Sequence, residues 1–202
     1  MLVIIDYGVG NVRSVTNAFR HIGADIAVSC NPEEIQKASG LILPGVGASG
    51  YAMQKVAPLA ELICQQAKSG KPLLGICLGY QILFNESHEM GTHKCLGLIG
   101  GKVIPIPPGR TVPHMGWNFV EPAIGMRLFE GMEQGRHFAF ANSFYAEVED
   151  DDAKVATTEY EGVTLTTAVE KGSIFGMQFH PEKSGADGLN MLRNFVRICG
   201  VA

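Results

Sequence analysis

The chain has 202 residues, a formal net charge of −4 at neutral pH, and 46% hydrophobic against 18% charged residues. That balance fits one domain with a substantial buried core. Scattered Lys and Arg leave no basic nucleic-acid footprint, and no apolar run approaches the ~20 residues that span a bilayer. The opening MLVIIDYG carries no basic leader region and reads as a first strand. Five cysteines, odd in number and without a CxxC pair, argue for a reducing, cytoplasmic setting rather than a disulfide frame or zinc ribbon.

In chain order, LVIID is a short apolar run suited to a parallel strand buried on both faces. After Gly8 and Gly10, Asn11 can cap a helix. Its apolar positions Val12, Val15, Phe19 and Ile22 recur at helical spacing, and Gly23 ends it. Residues 25–29 read as a second strand, and Pro32 opens a short helix from its favoured first turn. A third apolar strand over 40–43 stops at Pro44-Gly45-Val46-Gly47. A helix over 59–68, a strand over 72–76 and a helix over 78–85 follow. This alternation predicts an α/β fold, a doubly wound and mostly parallel sheet flanked by helices, with ligands at the carboxyl ends of its strands.

Beyond residue 96 the pattern changes. Stretches near 97–106, 117–120, 136–141, 154–159, 163–170 and 173–179 look like strands with few helices between them, so antiparallel or mixed sheet is expected there. Leu189, Leu192, Phe195, Val196 and Cys199 share one face of a closing helix over 186–199. No repeat or linker is visible, and residues 1–202 are expected to form a single domain.

The most informative segment is Pro72-Leu73-Leu74-Gly75-Ile76-Cys77-Leu78-Gly79-Tyr80-Gln81. It has the G-x-nucleophile-x-G form, with cysteine where hydrolases carry serine, between an apolar strand and a helix. Such a turn is strained and crowded, so side chains two residues either side of the nucleophile would clash. It also leaves Cys77 at a helix start, where backbone N–H groups favour a thiolate. A buried inert cysteine is the commoner fate of that residue type. The paired glycines at a strand-to-helix junction reverse those odds.

A thiolate needs a partner that takes its proton and later returns it to a leaving amine. Of six histidines, His180 is best placed, at the end of the strand SIFGMQF. Glu182 lies two residues on, and Pro181 biases His180 toward extended backbone, so both side chains are expected on one side. A carboxylate there can orient the imidazole. In Pro44-Gly45-Val46-Gly47 the two glycines, either side of Val46, let backbone N–H groups approach a ligand as an oxyanion hole requires.

Together PGVG, GICLGYQ and FHPEKS, in this order, resemble the class I (triad-type) glutamine amidotransferases over the whole chain. The resemblance implies that Cys77 attacks the carboxamide of glutamine, that His180 is the acid/base and that Glu182 supports it. It places Gly45, Val46 and Gly47 at the oxyanion strand and Leu78 and Gln81 against glutamine. Asn142, Ser143 and Phe144 stand where the family usually reads His-Ser-Tyr, so no phenolic hydroxyl is available at Phe144. Ser49 stands where an aromatic is frequent.

The segments Asp6-Tyr7-Gly8-Val9-Gly10-Asn11 and Pro113-His114-Met115-Gly116-Trp117-Asn118 resemble the branch formed by glutaminase subunits of imidazole glycerol phosphate synthases. That branch implies a heterodimer with a (βα)₈ cyclase subunit, with Tyr7, Asn11, Trp117 and Lys183 at or near the interface. It implies no cofactor and no metal.

Other readings are an amidotransferase subunit serving another acceptor, a stand-alone cysteine hydrolase, or a silent scaffold; the intact triad argues against the last. His88, Glu89, His93 and Cys95 lie close in sequence but match no zinc template, and a solvated loop is expected there. The acidic run Glu147, Glu149, Asp150, Asp151, Asp152 reads as a charged turn.

Overall fold

The computed structural model describes residues 1–201. The first half runs β1 (Leu2–Ile5), α1 (Val12–His21), β2 (Ile26–Ser29), α2 (Pro32–Lys37), β3 (Gly40–Gly45), α3 (Ser49–Lys68), β4 (Leu73–Cys77) and α4 (Leu78–Gln81). Then come β5 (Glu86–Ser87), β6 (His93–Lys94), β7 (Gly101–Pro105), β8 (His114–Pro122), β9 (Arg136–Asn142) and β10 (Phe144–Val148). The chain closes with β11 (Lys154–Tyr160), β12 (Val163–Lys171), β13 (Ile174–Met177) and α5 (Gly185–Ile198).

Strands β2-β1-β3-β4-β13 form the parallel part of a mixed sheet, and β12, β10, β7, β5 and β6 continue it. Beyond β13 the pairing is antiparallel except between β5 and β7. A side branch of β11, β8 and β9 curls away from β12. Alternate residues of β1 feed opposite layers, as a strand buried on both faces requires. Val3 and Ile5 pack with Ile35 of α2 and Val56 and Ile63 of α3. Leu2 and Ile4 pack with Val15 and Phe19 of α1 and Leu192 and Phe195 of α5. Among the described residues no helix is long and apolar enough to cross a membrane.

Local signals explain the helix starts. Asn11 accepts from the Ser14 N–H at 3.3 Å, and Asn31 caps α2 ahead of Pro32. Two helices differ from expectation. The third is longer than 59–68, because Pro58 sits on its exposed face, where water can satisfy the carbonyl left without a donor. The fourth stops well short of residue 85. The carbonyls of Ile82, Leu83 and Phe84 accept from Leu96, Leu98 and Gly97 instead of continuing a helix.

The acidic run falls at the end of β10 and in the turn before β11, in line with the expected charged turn between strands, and that turn is pinned. Glu147 belongs to β10 and faces Lys102 at 3.4 Å, while Asp150 accepts from the Gly100 N–H and from Lys171 at 2.7 Å.

Candidate active site

Cys77 ends β4 with φ +54° and ψ −110°, a conformation that non-glycine residues rarely adopt. The glycines around it make the turn possible. A Cβ on Gly79 would overlap the Leu43 carbonyl oxygen, and one on Gly75 would lie 2.6 Å from the Gly79 carbonyl oxygen. These approaches press β3, β4 and α4 together directly beneath the nucleophile.

His180 reaches the site from the neighbouring strand. β13 runs parallel to β4, with Met177 opposite Ile76, so both chains leave the sheet at the same edge. The His180 N–H donates to Ala139 at 2.9 Å, and Ser184 Oγ donates to the His180 carbonyl at 2.6 Å while accepting from Ala139 at 2.9 Å. Phe179 stacks on Phe138 with ring centroids 4.3 Å apart. His180 is thereby tied to β9 on both sides. His180 itself is extended, but Pro181–Lys183 form a 3₁₀ turn rather than a continuing extended chain. Glu182 meets the imidazole through that turn, with Oε1 2.9 Å from His180 Nδ1. Its side chain is 1% exposed, and Oε2 has no hydrogen-bond partner among the described residues.

Burial alone would lower the pKa of His180. Hydrogen bonding and charge from Cys77 and Glu182 outweigh that effect and raise it to about 9. The folded state therefore binds a proton more tightly than the unfolded chain. The stability this contributes is full below about 6.5 and is lost as pH rises through about 9. Denaturant melts of the wild type and His180→Asn across that window should show their difference in unfolding free energy shrinking as pH rises. A difference that grows with pH would contradict the assignment.

A cavity of about 300 Å³ opens over these groups. It brings together Val46, Gly47, Cys77, Leu78, Gln81, Asn142, Ser143, Phe144 and His180, all singled out in the sequence. The N–H groups of Val46 and Gly47 donate no hydrogen bond among the described residues, and both residues are exposed, so they are free to serve a ligand. Gly45 lies just below, wedged against Leu78 and the Tyr7 hydroxyl. Asn142 Nδ2 donates to the Phe144 carbonyl at 3.0 Å, while its buried Oδ1 lacks a partner among the described residues.

Glu89 also lines the cavity and was missed in the sequence. Its Oε2 accepts from the Ser49 N–H at 2.7 Å and Ser49 Oγ at 3.0 Å, and Ser87 Oγ donates to Ser49 Oγ at 3.0 Å. The loop read as solvated is thus a short hairpin, β5–β6, that presents a carboxylate to the site. Ser49 anchors that carboxylate at the start of α3. The other residues of that loop diverge: His88 meets Glu86 at 2.7 Å, and His93 lies over Gly50. Only the folded hairpin distinguishes Glu89 from its acidic neighbours, and no sequence spacing announces it.

Of the four residues assigned to a partner face, Trp117 and Lys183 are exposed, Trp117 by 59%. Asn11 is half-buried as the cap of α1. Tyr7 is turned inward, and its hydroxyl donates to the Pro44 carbonyl at 2.6 Å, under the oxyanion loop. Burial, and secondarily the nearby Cys77, raises the Tyr7 pKa, so the hydroxyl keeps its proton and remains a donor.

A strained cysteine, a buried His–Glu pair and free loop amides at the carboxyl edge of a parallel sheet are the arrangement that thiol-dependent acyl transfer requires. The glutamine amidotransferase class-I family model matches residues 3–199, and the chain belongs to that family. Among curated relatives, it is 52% identical to the imidazole glycerol phosphate synthase subunit HisH of Methanothermobacter thermautotrophicus, with 98% of each chain covered. It is 42% identical, at the same coverage, to the HisH subunit of Pyrococcus furiosus. A solved glutamine amidotransferase superposes with a TM-score of 0.78 at 21% identity, over 98% of this chain and 99% of the other. PurLQS from Thermotoga maritima gives 0.74 at 22% identity, over 98% and 97%. At these identities the two structures speak for the shared mixed α/β fold.

Proposed function

We propose that the chain is the glutaminase subunit of an imidazole glycerol phosphate synthase. It would hydrolyse glutamine and pass the ammonia to a (βα)₈ cyclase subunit. That partner forms imidazole glycerol phosphate and aminoimidazole carboxamide ribotide in histidine biosynthesis, in the cytoplasm. The observation that carries the reading is the Cys77, His180 and Glu182 constellation facing one cavity. Its extension to the synthase rests on the HisH relatives. The two core layers of one continuous sheet support a single domain.

Cys77 gives its proton to His180 and attacks the carboxamide carbon, and the developing oxyanion is met by the Val46 and Gly47 amides. His180 protonates the departing ammonia, leaving a glutamyl thioester. It then takes a proton from the water that hydrolyses the thioester, while Glu182 holds the ring and stabilises its cation. Glu89 offers the negative charge that the α-ammonium of glutamine requires, and Leu78, Gln81 and residues 142–144 enclose the rest. No step calls on a metal or cofactor.

Beside the cavity rim, Val112, Met115 and Trp117 are 51%, 71% and 59% exposed. An exposed tryptophan of this kind is a strong candidate for an interface anchor. The test is glutamine hydrolysis by the purified chain, alone and with the cyclase subunit and its nucleotide ligand. Strong partner-dependent stimulation is expected. Equal rates with and without the partner would instead identify a stand-alone hydrolase, and no hydrolysis under either condition a scaffold.

A further inference from the structure

Gln178, two residues before the base, is fully buried, and its carboxamide lies between two residues of the site. Its Oε1 accepts from Gln81 Nε2 at 2.8 Å, and its Nε2 donates to the Cys77 sulfur at 3.7 Å. Its backbone N–H donates to the Thr167 carbonyl at 2.8 Å, so the main chain that carries the side chain is fixed as well. Packing alone does not call for glutamine here, because Leu or Met would fill the space without burying a polar group. The amide is retained where each end meets a functional side chain.

The direction of the network matters. With Gln81 donating to Oε1, the N–H side of Gln178 is the one that faces sulfur. A thiol can accept such a bond weakly, whereas a thiolate accepts it as a charge-assisted bond. The bond therefore strengthens when the S–H bond breaks, the electron pair stays on sulfur and the proton moves to His180. It weakens again in the neutral thioester and returns when hydrolysis regenerates the thiolate.

We propose that Gln178 is a further catalytic residue: its Nε2–H stabilises the Cys77 thiolate, and its Oε1 fixes Gln81 against the glutamine cavity. The proposal rests on Cys77 being the nucleophile. It assigns one buried side chain to both activation and substrate positioning, and so explains why the two glutamines are joined.

The test is the pH–rate profile for alkylation of Cys77 by iodoacetamide, followed by mass spectrometry of the Cys77 peptide so that Cys30, Cys64, Cys95 and Cys199 do not contribute. In Gln178→Met the midpoint should rise by roughly one pH unit and kcat should fall roughly tenfold. KM should rise too, because Gln81 loses its anchor. Gln81→Met should raise KM and move the alkylation midpoint less than Gln178→Met does, because it loosens the Gln178 amide without removing its donor. An unmoved midpoint in a folded Gln178→Met chain overturns the proposal. Should that variant fail to fold, the wild type answers the question by NMR. The Gln178 side-chain N–H resonances must shift as Cys77 titrates, and stationary resonances overturn it. Retained hydrolysis in Cys77→Ala is a different outcome, which removes the nucleophile reading itself.

Discussion

Cys77→Ala is expected to lower glutamine hydrolysis by roughly 10⁴-fold or more while leaving glutamine binding largely intact. The sulfur is the only atom lost, and the cavity walls formed by Gln81, Glu89 and residues 142–144 do not depend on it. Ammonia release and equilibrium binding measured on the same sample separate the two effects. Residual turnover within tenfold of wild type would move the nucleophile elsewhere. The backbone adds a companion reading. Alanine keeps the Cβ that makes φ +54° costly, so it should change stability little, whereas Cys77→Gly should be equally inactive and about 1 kcal/mol more stable.

The largest structural effect is expected at Gly79. A methyl group there meets the Leu43 carbonyl oxygen, which is main chain inside a central strand and cannot swing aside. Gly79→Ala should therefore lose more than about 3 kcal/mol of stability, or fail to fold. Gly70→Ala is the useful contrast, since φ is +93° there but the Cβ meets nothing. It should cost only about 1 kcal/mol. Denaturant midpoints of the two variants decide the matter. A loss at Gly79 no larger than that at Gly70 would show that the Leu43 contact relaxes, since Gly79, unlike Gly70, has no left-handed backbone to account for a cost.

Much of this architecture was readable from local signals. The apolar runs of β1, β3 and β4, the caps Asn11 and Asn31, and the crowded glycines around Cys77 each act over a few residues. The strand-end placement of His180 follows from the apolar run before it. Features decided by tertiary hydrogen bonds were not readable. α4 ends early because the 96–98 segment captures the carbonyls of residues 82–84. α3 continues through Pro58 because the carbonyl it leaves without a donor lies on the exposed face, open to water. Glu89 looked like any acidic loop residue until Ser49 and Ser87 held it in place. Tyr7 was expected near a partner face, and its burial against Pro44 depends on how two loops meet.

The pairing of β4 with β13 has a consequence for when activity can appear. Gln178 contacts a sulfur 101 residues earlier in the chain, and His180 follows it at the end of the last strand. Contacts of such long range close late, because their loop entropy is met only after the intervening elements have condensed. During synthesis the Cys77 turn emerges with its own glycines and helix start, yet His180 and Gln178 are not beside it. The Cys77 thiol therefore meets His180, its proposed proton acceptor, only when β13 docks and Phe179 stacks on Phe138. On the proposed roles, hydrolytic competence reports completion of the sheet, and a chain truncated before β13 carries the Cys77 turn without the rest of its site.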